Sequence, residues 1–288
     1  RAFGLEEGGR DSAHVFGQPK TRVAPRTAAL VNGTISHALD YDDTHFAHIG
    51  HPSVAVLPAI MALAEANGIT GTRLKHAALI GMEASVKVGV WLGRSHYQKG
   101  FHQTATAGTF GATLGACRLL GVSEEVTTNA LALASSRAAG LKAQFGTMAK
   151  PLNAGLAASN GVECAMLAQL GVDGGRAAFD GSQGFGQTHF GEADNSSMEG
   201  LGTSWIITDV SHKFHSCCHG LHATLEALRT LDLDREEVAH ITIQTHPRWM
   251  TVCNQIKPKT GLGAKFSYGS VVALMLCGFD TSRLDTFS

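Results

Sequence analysis

The sequence predicts a mainly α protein, with a large all-helical domain followed by a smaller α+β domain. Three observations lead there. Apolar residues recur at helical spacing through most of the first 170 positions. Glycine reaches 34 of 288 residues, above the usual ~7%, and with abundant alanine this suits closely packed helices and tight turns. Beyond about residue 208 the texture changes, and an alternation of apolar and polar residues appears.

The elements follow in order. Residues 1–20 are polar and Gly-rich, with no clear period. From Ala24, the residues Leu30, Val31, Ile35, Ala38 and Leu39 keep helical spacing. Pro52 and Ser53 open a helix through Ala66, and Asn67-Gly68 ends it. Thr72 caps a helix to about Leu92, with Gly93 behind it. Helices are expected over 108–120 and 123–139, the latter with Ser123 as N-cap before two glutamates. Another covers 155–170. Residues 181–203 are rich in Gly, Ser, Asn and Thr and read as a loop or linker. Trp205-Ile206-Ile207 suits a short strand, and 218–231 a helix. Asp234 with Glu237 fits a capping box, and 240–245 alternates like a half-buried strand. These features place the helical domain at 1–207 and the smaller one at 208–288.

Composition narrows the function. The length of 288 residues is about twice a typical domain of ~150, so one large domain or two ordinary ones fit. A hydrophobic content of 44% argues for a sizeable core and against disorder. The net charge of −1 offers no electrostatic handle for nucleic acid or an anionic membrane. No apolar run approaches the ~18 residues of a membrane span, and no secretory signal pattern is seen. A cytoplasmic protein is expected. The six cysteines lack C-x-x-C spacing and read as packing thiols of a reducing compartment. Phosphate-binding glycine motifs and a G-x-S-x-G elbow are absent. The chain starts at Arg1 without Met and stops at Ser288 just after an apolar segment, so a piece of a longer protein is expected.

Histidine is the informative residue. His37, His45, His48 and His51 lie within 15 positions, and His212, His215, His219 and His222 within 11. Four segments follow from this. The first, Leu39 to Pro52, joins two helices and carries Asp40, Asp42, Asp43 and Thr44 among its histidines. Acids and imidazoles on such a loop suit general acid–base work; a polar capping loop is the plainer account. His45, His48 and His51, spaced by threes, make a metal the competing account, but H-E-x-x-H and a cysteine pair are absent, and no metal is expected. The second segment, around Gly100-Phe101-His102, precedes a helix, so His102 is either at an anion-binding mouth or a buried, hydrogen-bonded histidine. In the third, Lys150-Pro151 opens a helix, and Lys150 is either a snorkelling surface group or a carboxylate-binding cation. The fourth, Ser211 to His222, holds Lys213, Cys217 and Cys218 at the expected boundary, where clefts often form; a reactive thiol there is a minor alternative.

In this order the four segments resemble the MmgE/PrpD family, and Ala264-Lys265-Phe266-Ser267 adds a fifth match. The likeness runs from about residue 24 to 278. The family includes 2-methylcitrate dehydratases, cis-aconitate decarboxylases and an iminodisuccinate epimerase. It implies a large helical domain, a smaller α+β lid and an active site between them, with this chain truncated at both ends. It also implies a homodimer that needs no metal or organic cofactor.

Residue by residue, the resemblance places the family's active-site Asp and Thr on Asp40 and Thr44. Its histidines fall on His51, allowing one residue of loop-length difference, and His102; its lysines fall on Lys150 and Lys213. Two positions depart. His219 stands where dehydratase-like members often carry Arg, and Ser270 where many have Tyr, with Tyr268 two residues earlier.

The implied chemistry is lysis of a di- or tricarboxylate through a carbanion-like state, dehydration of the 2-methylcitrate type being the first expectation. Decarboxylation, epimerisation or a non-catalytic polycarboxylate binder are the alternatives. In this scheme Lys150 and Lys213 clamp carboxylates, His51 and His102 transfer protons, Asp40 orients an imidazole, and Thr44 and Tyr268 contact substrate.

Overall fold

The computed structural model describes residues 2–7 and 9–288, which are mostly helical. The chain divides into two compact units. One holds the residues up to His37, Asp42–Leu141 and Pro151–Ser211; the other holds Ala38–Tyr41, Lys142–Lys150 and His212–Ser288.

The first unit begins with α1 (Ala2–Glu7) and a hairpin of β1 (Ala13–Val15) and β2 (Gln18–Val23). The hairpin pairs Ala13 with Val23 and His14 with Arg22 around Gly17, which takes φ 71°. No period is legible there because β1 is three residues long. Ala13, Val15 and Val23 nevertheless face the core. The main helices are α2 (Pro25–Ala38), α3 (Ser53–Asn67), α4 (Thr72–Lys99), α5 (Gln103–Leu120), α6 (Glu124–Arg137) and α7 (Ala149–Gln169), with a short α8 (Phe185–Thr188).

Their ends follow local chemistry. Gly68 closes α3 at φ 63°, and the Ser123 hydroxyl accepts from the Val126 amide at 3.3 Å to open α6. Helix α4 breaks where expected, at Gly93 (φ 70°), but then resumes to Lys99. The Glu192 carboxylate restarts it, accepting from the Ser95 amide at 2.9 Å and the Ser95 hydroxyl at 2.8 Å.

Helix α5 starts earlier than its apolar period suggests, because its first turns are polar yet buried: Gln103, Thr104 and Thr106 are inaccessible. Farther along, the hydroxyls of Thr109 and Thr113 are satisfied within the helix, donating to the carbonyls of Ala105 (2.9 Å) and Thr109 (2.7 Å). Helices α4 and α5 meet through bare backbone. A β-carbon on Gly81 would lie 2.8 Å from the Gly111 carbonyl oxygen, and one on Gly111 would lie 2.6 Å from that of Gly81.

The second unit carries α9 (His222–Arg229), α10 (Pro247–Met250), α11 (Gly261–Ala264) and α12 (Tyr268–Leu276), with Leu221, Leu225, Phe266, Val271 and Phe287 buried. The mainly α architecture holds, but two expected strands do not form. Ile206–Asp209 is a 3-10 turn, because the buried Glu83 carboxylate takes the amides of Ile206 (3.2 Å) and Ile207 (2.8 Å). Residues 240–245 join no sheet; among the described residues no strand lies beside them. None of the described helices is long and apolar enough to cross a membrane.

The α4–α5 contact leaves no room for a methyl group. Gly111→Ala is expected to lower unfolding free energy by about 1–3 kcal/mol, read from the urea midpoint at unchanged m-value.

Candidate active site

In the first unit, one carboxylate gathers two imidazoles. His37 ends α2 and is fully buried; Asp42 follows in the loop, and His51 stands just before α3. Asp42 Oδ2 lies 2.8 Å from His37 Nδ1 and 3.0 Å from His51 Nδ1. The His37 ring meets His51 edge-on at 4.7 Å and stacks on His102 at 5.8 Å between centroids.

His102 occupies the N-cap position of α5. Its amide donates to the Gly140 carbonyl at 3.0 Å, and the Asn153 amide approaches its Nδ1 at 3.4 Å. The Thr104 hydroxyl accepts from the His51 amide at 3.2 Å. His51 and His102, expected as partners, are thus both within reach of the His37 ring.

The three neighbouring acids have separate tasks. Burial alone would raise the Asp42 carboxyl, but the charges and hydrogen bonds of His37 and His51 hold it well below the usual carboxylate range. Asp43 is a helix cap, accepting from the Ser53 hydroxyl at 2.5 Å and the Ser53 amide at 3.3 Å. Burial raises its carboxyl despite those bonds.

Asp40 belongs to the second unit and does not take the imidazole-orienting task expected of it. Its Oδ1 lies 2.5 Å from Lys150 Nζ and its Oδ2 3.3 Å from Lys213 Nζ. The carboxylate that meets imidazoles is Asp42, two residues on.

The lysines around Asp40 are buried as well. Lys150, on the first turn of α7, lies with its ammonium 4.9 Å from the Phe266 ring centre. Lys213 donates to the carbonyls of Asp40 (2.9 Å) and Cys217 (3.0 Å). A third cation, Lys265, donates to the Leu39 carbonyl and the Ser216 hydroxyl, each at 2.6 Å. Burial pulls Lys265 below the usual lysine range; Asp40 opposes this, while Lys213 and Lys150 add to it. Lys150 is therefore no snorkelling surface group.

The remaining expectations sort as follows. Thr44 is pinned through its backbone to Ser211, its amide donating at 2.9 Å and its carbonyl accepting at 2.7 Å. Tyr268, expected to contact substrate, has its hydroxyl committed to the Gly220 carbonyl at 3.1 Å and the Thr245 hydroxyl at 3.2 Å, which makes it a strut of the second unit. Cys117, Cys164, Cys217 and Cys253 are buried free thiols, as packing requires. Cys218 is half-buried, and its hydrogen bond with Cys253 pulls its thiol down.

The metal arrangement suggested by spacing is not the one formed. His45 reaches the Ile206 carbonyl at 2.8 Å, and His48 is fully buried, its ring packed against Gly50 and Gly89. Burial, with His45 and His51 nearby, lowers His48 to about 3. Among the described residues, the group with ligand-like proximity is His37, Asp42 and His51, its donor atoms all within 4.8 Å. Both Nδ1 atoms approach the same Oδ2, which suits N–H···O bonds.

Three contributors were not singled out by sequence reading: Asp42 as the imidazole partner, Asn153 beside His102, and Lys265. Lys265 lay inside a recognised motif, yet only its fold neighbours reveal its task.

The MmgE/PrpD N-terminal domain model matches residues 2–198. The chain is 36% identical over 209 residues to cis-aconitate decarboxylase of Homo sapiens, covering 70% of this chain and 43% of that protein. It is 31% identical over 227 residues to the cis-aconitate decarboxylase-like protein oryM of Aspergillus oryzae, covering 73% and 47%. With cis-aconitate decarboxylase of Aspergillus terreus the identity is 26% over 282 residues, covering 88% and 58%. The chain thus spans about half the length of these relatives.

The depressed Asp42 carboxyl sets a pH dependence. An unfolded Asp takes up its proton near pH 3.9, while the folded one holds out to lower pH. The contribution of the charged carboxylate is therefore complete above that value and lost as pH falls through the folded pKa. Urea melts should show wild type and Asp42→Asn furthest apart at pH 7 and converging below about pH 4.

Proposed function

Because the chain belongs to the MmgE/PrpD family, we propose that it forms part of a cofactor-independent lyase that removes CO2 from an unsaturated tricarboxylate of the cis-aconitate type. The observation that carries this is the buried cationic excess around Asp40: one carboxylate facing the ammonium groups of Lys150 and Lys213. Buried charge of that sign calls for an anionic ligand. The names of the matched relatives favour decarboxylation over the dehydration expected from the motifs alone. With this reading go the homodimer that the family resemblance implies and the cytoplasmic location expected from the composition.

The reaction is balanced as follows. The C–CO2 bond breaks and its electron pair stays on carbon. The adjacent double bond and carboxylate spread that charge, and a proton then joins carbon as CO2 departs. Lys150 and Lys213 hold the carboxylates that remain and stabilise the developing charge without reorganising, which is where preorganised cations are most effective. His51 and His102 move the proton. Asp42, in place of Asp40, sets the His51 ring. Thr44 contributes a substrate contact from a backbone already fixed.

NMR of the full-length protein with cis-aconitate in D₂O is expected to show CO2 loss and one deuterium on the product carbon. Dehydration of 2-methylcitrate instead, or exchange without CO2 release, would replace decarboxylation by the corresponding family chemistry. Thermal stabilisation by these acids without turnover would leave only a binder. His102→Ala and Lys150→Ala are each expected to lower turnover by about 10²–10⁴-fold with the helical CD spectrum retained; activity within a few-fold of wild type would remove the residue from the assignment.

The proximity of His37, Asp42 and His51 defines a second test. EDTA dialysis is expected to leave turnover unchanged. Loss of activity restored by a divalent transition metal would assign that trio to a metal.

A further inference from the structure

Asp40 sits in the left-handed region, at φ 50°. A non-glycine residue there costs roughly 1–2 kcal/mol, so the surroundings must hold it. The structure shows how. The carbonyl before the turn, Leu39 O, accepts from Lys265 Nζ at 2.6 Å and from the Ser216 hydroxyl at 3.1 Å. The carbonyl of Asp40 itself accepts from Lys213 Nζ at 2.9 Å. Lys265 Nζ also lies 2.6 Å from Ser216 Oγ, which closes a small ring of Lys265, Ser216 and Leu39. Two buried ammonium groups thus grip consecutive carbonyls on either side of one strained residue, and that residue's carboxylate lies between Lys150 and Lys213.

Lys265 itself is 5% exposed. Its ammonium is committed to a backbone carbonyl and a hydroxyl, unlike those of Lys150 and Lys213, which face the carboxylate. We infer that Lys265 is a positioning residue: with Ser216 it locks the left-handed turn at Asp40 and so sets the carboxylate between the two substrate-clamping lysines. This deepens the function proposed above and rests on it for its kinetic consequence, though not for its structural one.

Two measurements test it. The first is the crystal structure of Lys265→Met in the full-length protein. Expected are departure of Asp40 from positive φ and loss of its short contact with Lys150; an unchanged turn and ion pair would overturn the inference. The second is a double-mutant cycle with Asp40→Asn, which keeps a residue type tolerant of positive φ but removes the charge. Lys265→Met alone should lower kcat by about 10²-fold, with a much smaller change in KM, and should add less than about threefold in the Asp40→Asn background. Equal losses in both backgrounds, or a lowered Tm with kcat intact, would make Lys265 merely structural.

If Lys265→Met does not fold, Ser216→Ala serves. It leaves all the lysines in place and should lower kcat in the same direction by a smaller factor, again only when Asp40 is present. A wild-type protein that turns over none of the acids would end the functional reading, while the crystallographic outcome would still decide the role of Lys265.

Discussion

The buried ionic group around Asp40 is the constraint on which the second unit depends. Taking a carboxylate and three ammonium groups out of water costs several kcal/mol per ion unless each finds partners. Here each does. Lys150 has the carboxylate and an aromatic face, Lys213 has the carboxylate and two carbonyls, and Lys265 has a carbonyl and a hydroxyl. The partners come from positions far apart in sequence, 39–40, 150, 213–217 and 265. The electrostatic requirement therefore also ties the pieces of the unit together. Within this cluster the ammonium groups of Lys150, Lys213 and Lys265 outnumber the Asp40 carboxylate.

The first unit solves a different problem. Two imidazoles lie side by side, and one low-lying carboxylate holds both rings at once. The loop that supplies it spends each acid differently: Asp40 on lysines, Asp42 on histidines, Asp43 on the start of α3. Three carboxylates within four positions, alike in sequence, have three environments: ammonium groups at Asp40, imidazoles at Asp42 and Ser53 at Asp43.

Local contacts were legible in the sequence and long-range ones were not. The principal helices were legible because caps and apolar spacing act locally; Ser123, Gly68 and Gly93 mark the boundaries they suggested. The grouping of His37 and His51 was legible too, since histidine spacing brings attention to the loop where Asp42 joins them. The pairing of Asp42 rather than Asp40 with an imidazole was not, because spacing along a loop does not encode side-chain direction once φ turns positive. Lys265 was hidden for a related reason: its partner Leu39 is more than two hundred residues away. The strand read at 205–207 failed because a distant glutamate, Glu83, claims its amides. The hairpin at 13–23 escaped because so short a pair has no period to show.

The turn at Asp40 narrows the chemical alphabet that its position accepts. Positive φ is comfortable for glycine and tolerable for Asn and Asp, whereas longer or branched side chains resist it. The neighbouring ammonium groups favour a side chain that carries negative charge, Asp or Glu. The two filters act on different atoms, one on the backbone and one on the carboxylate, and they overlap in a single amino acid. Asp40 is thereby the letter that satisfies both: a swap that keeps the shape discards the charge, and a swap that keeps the charge strains the shape.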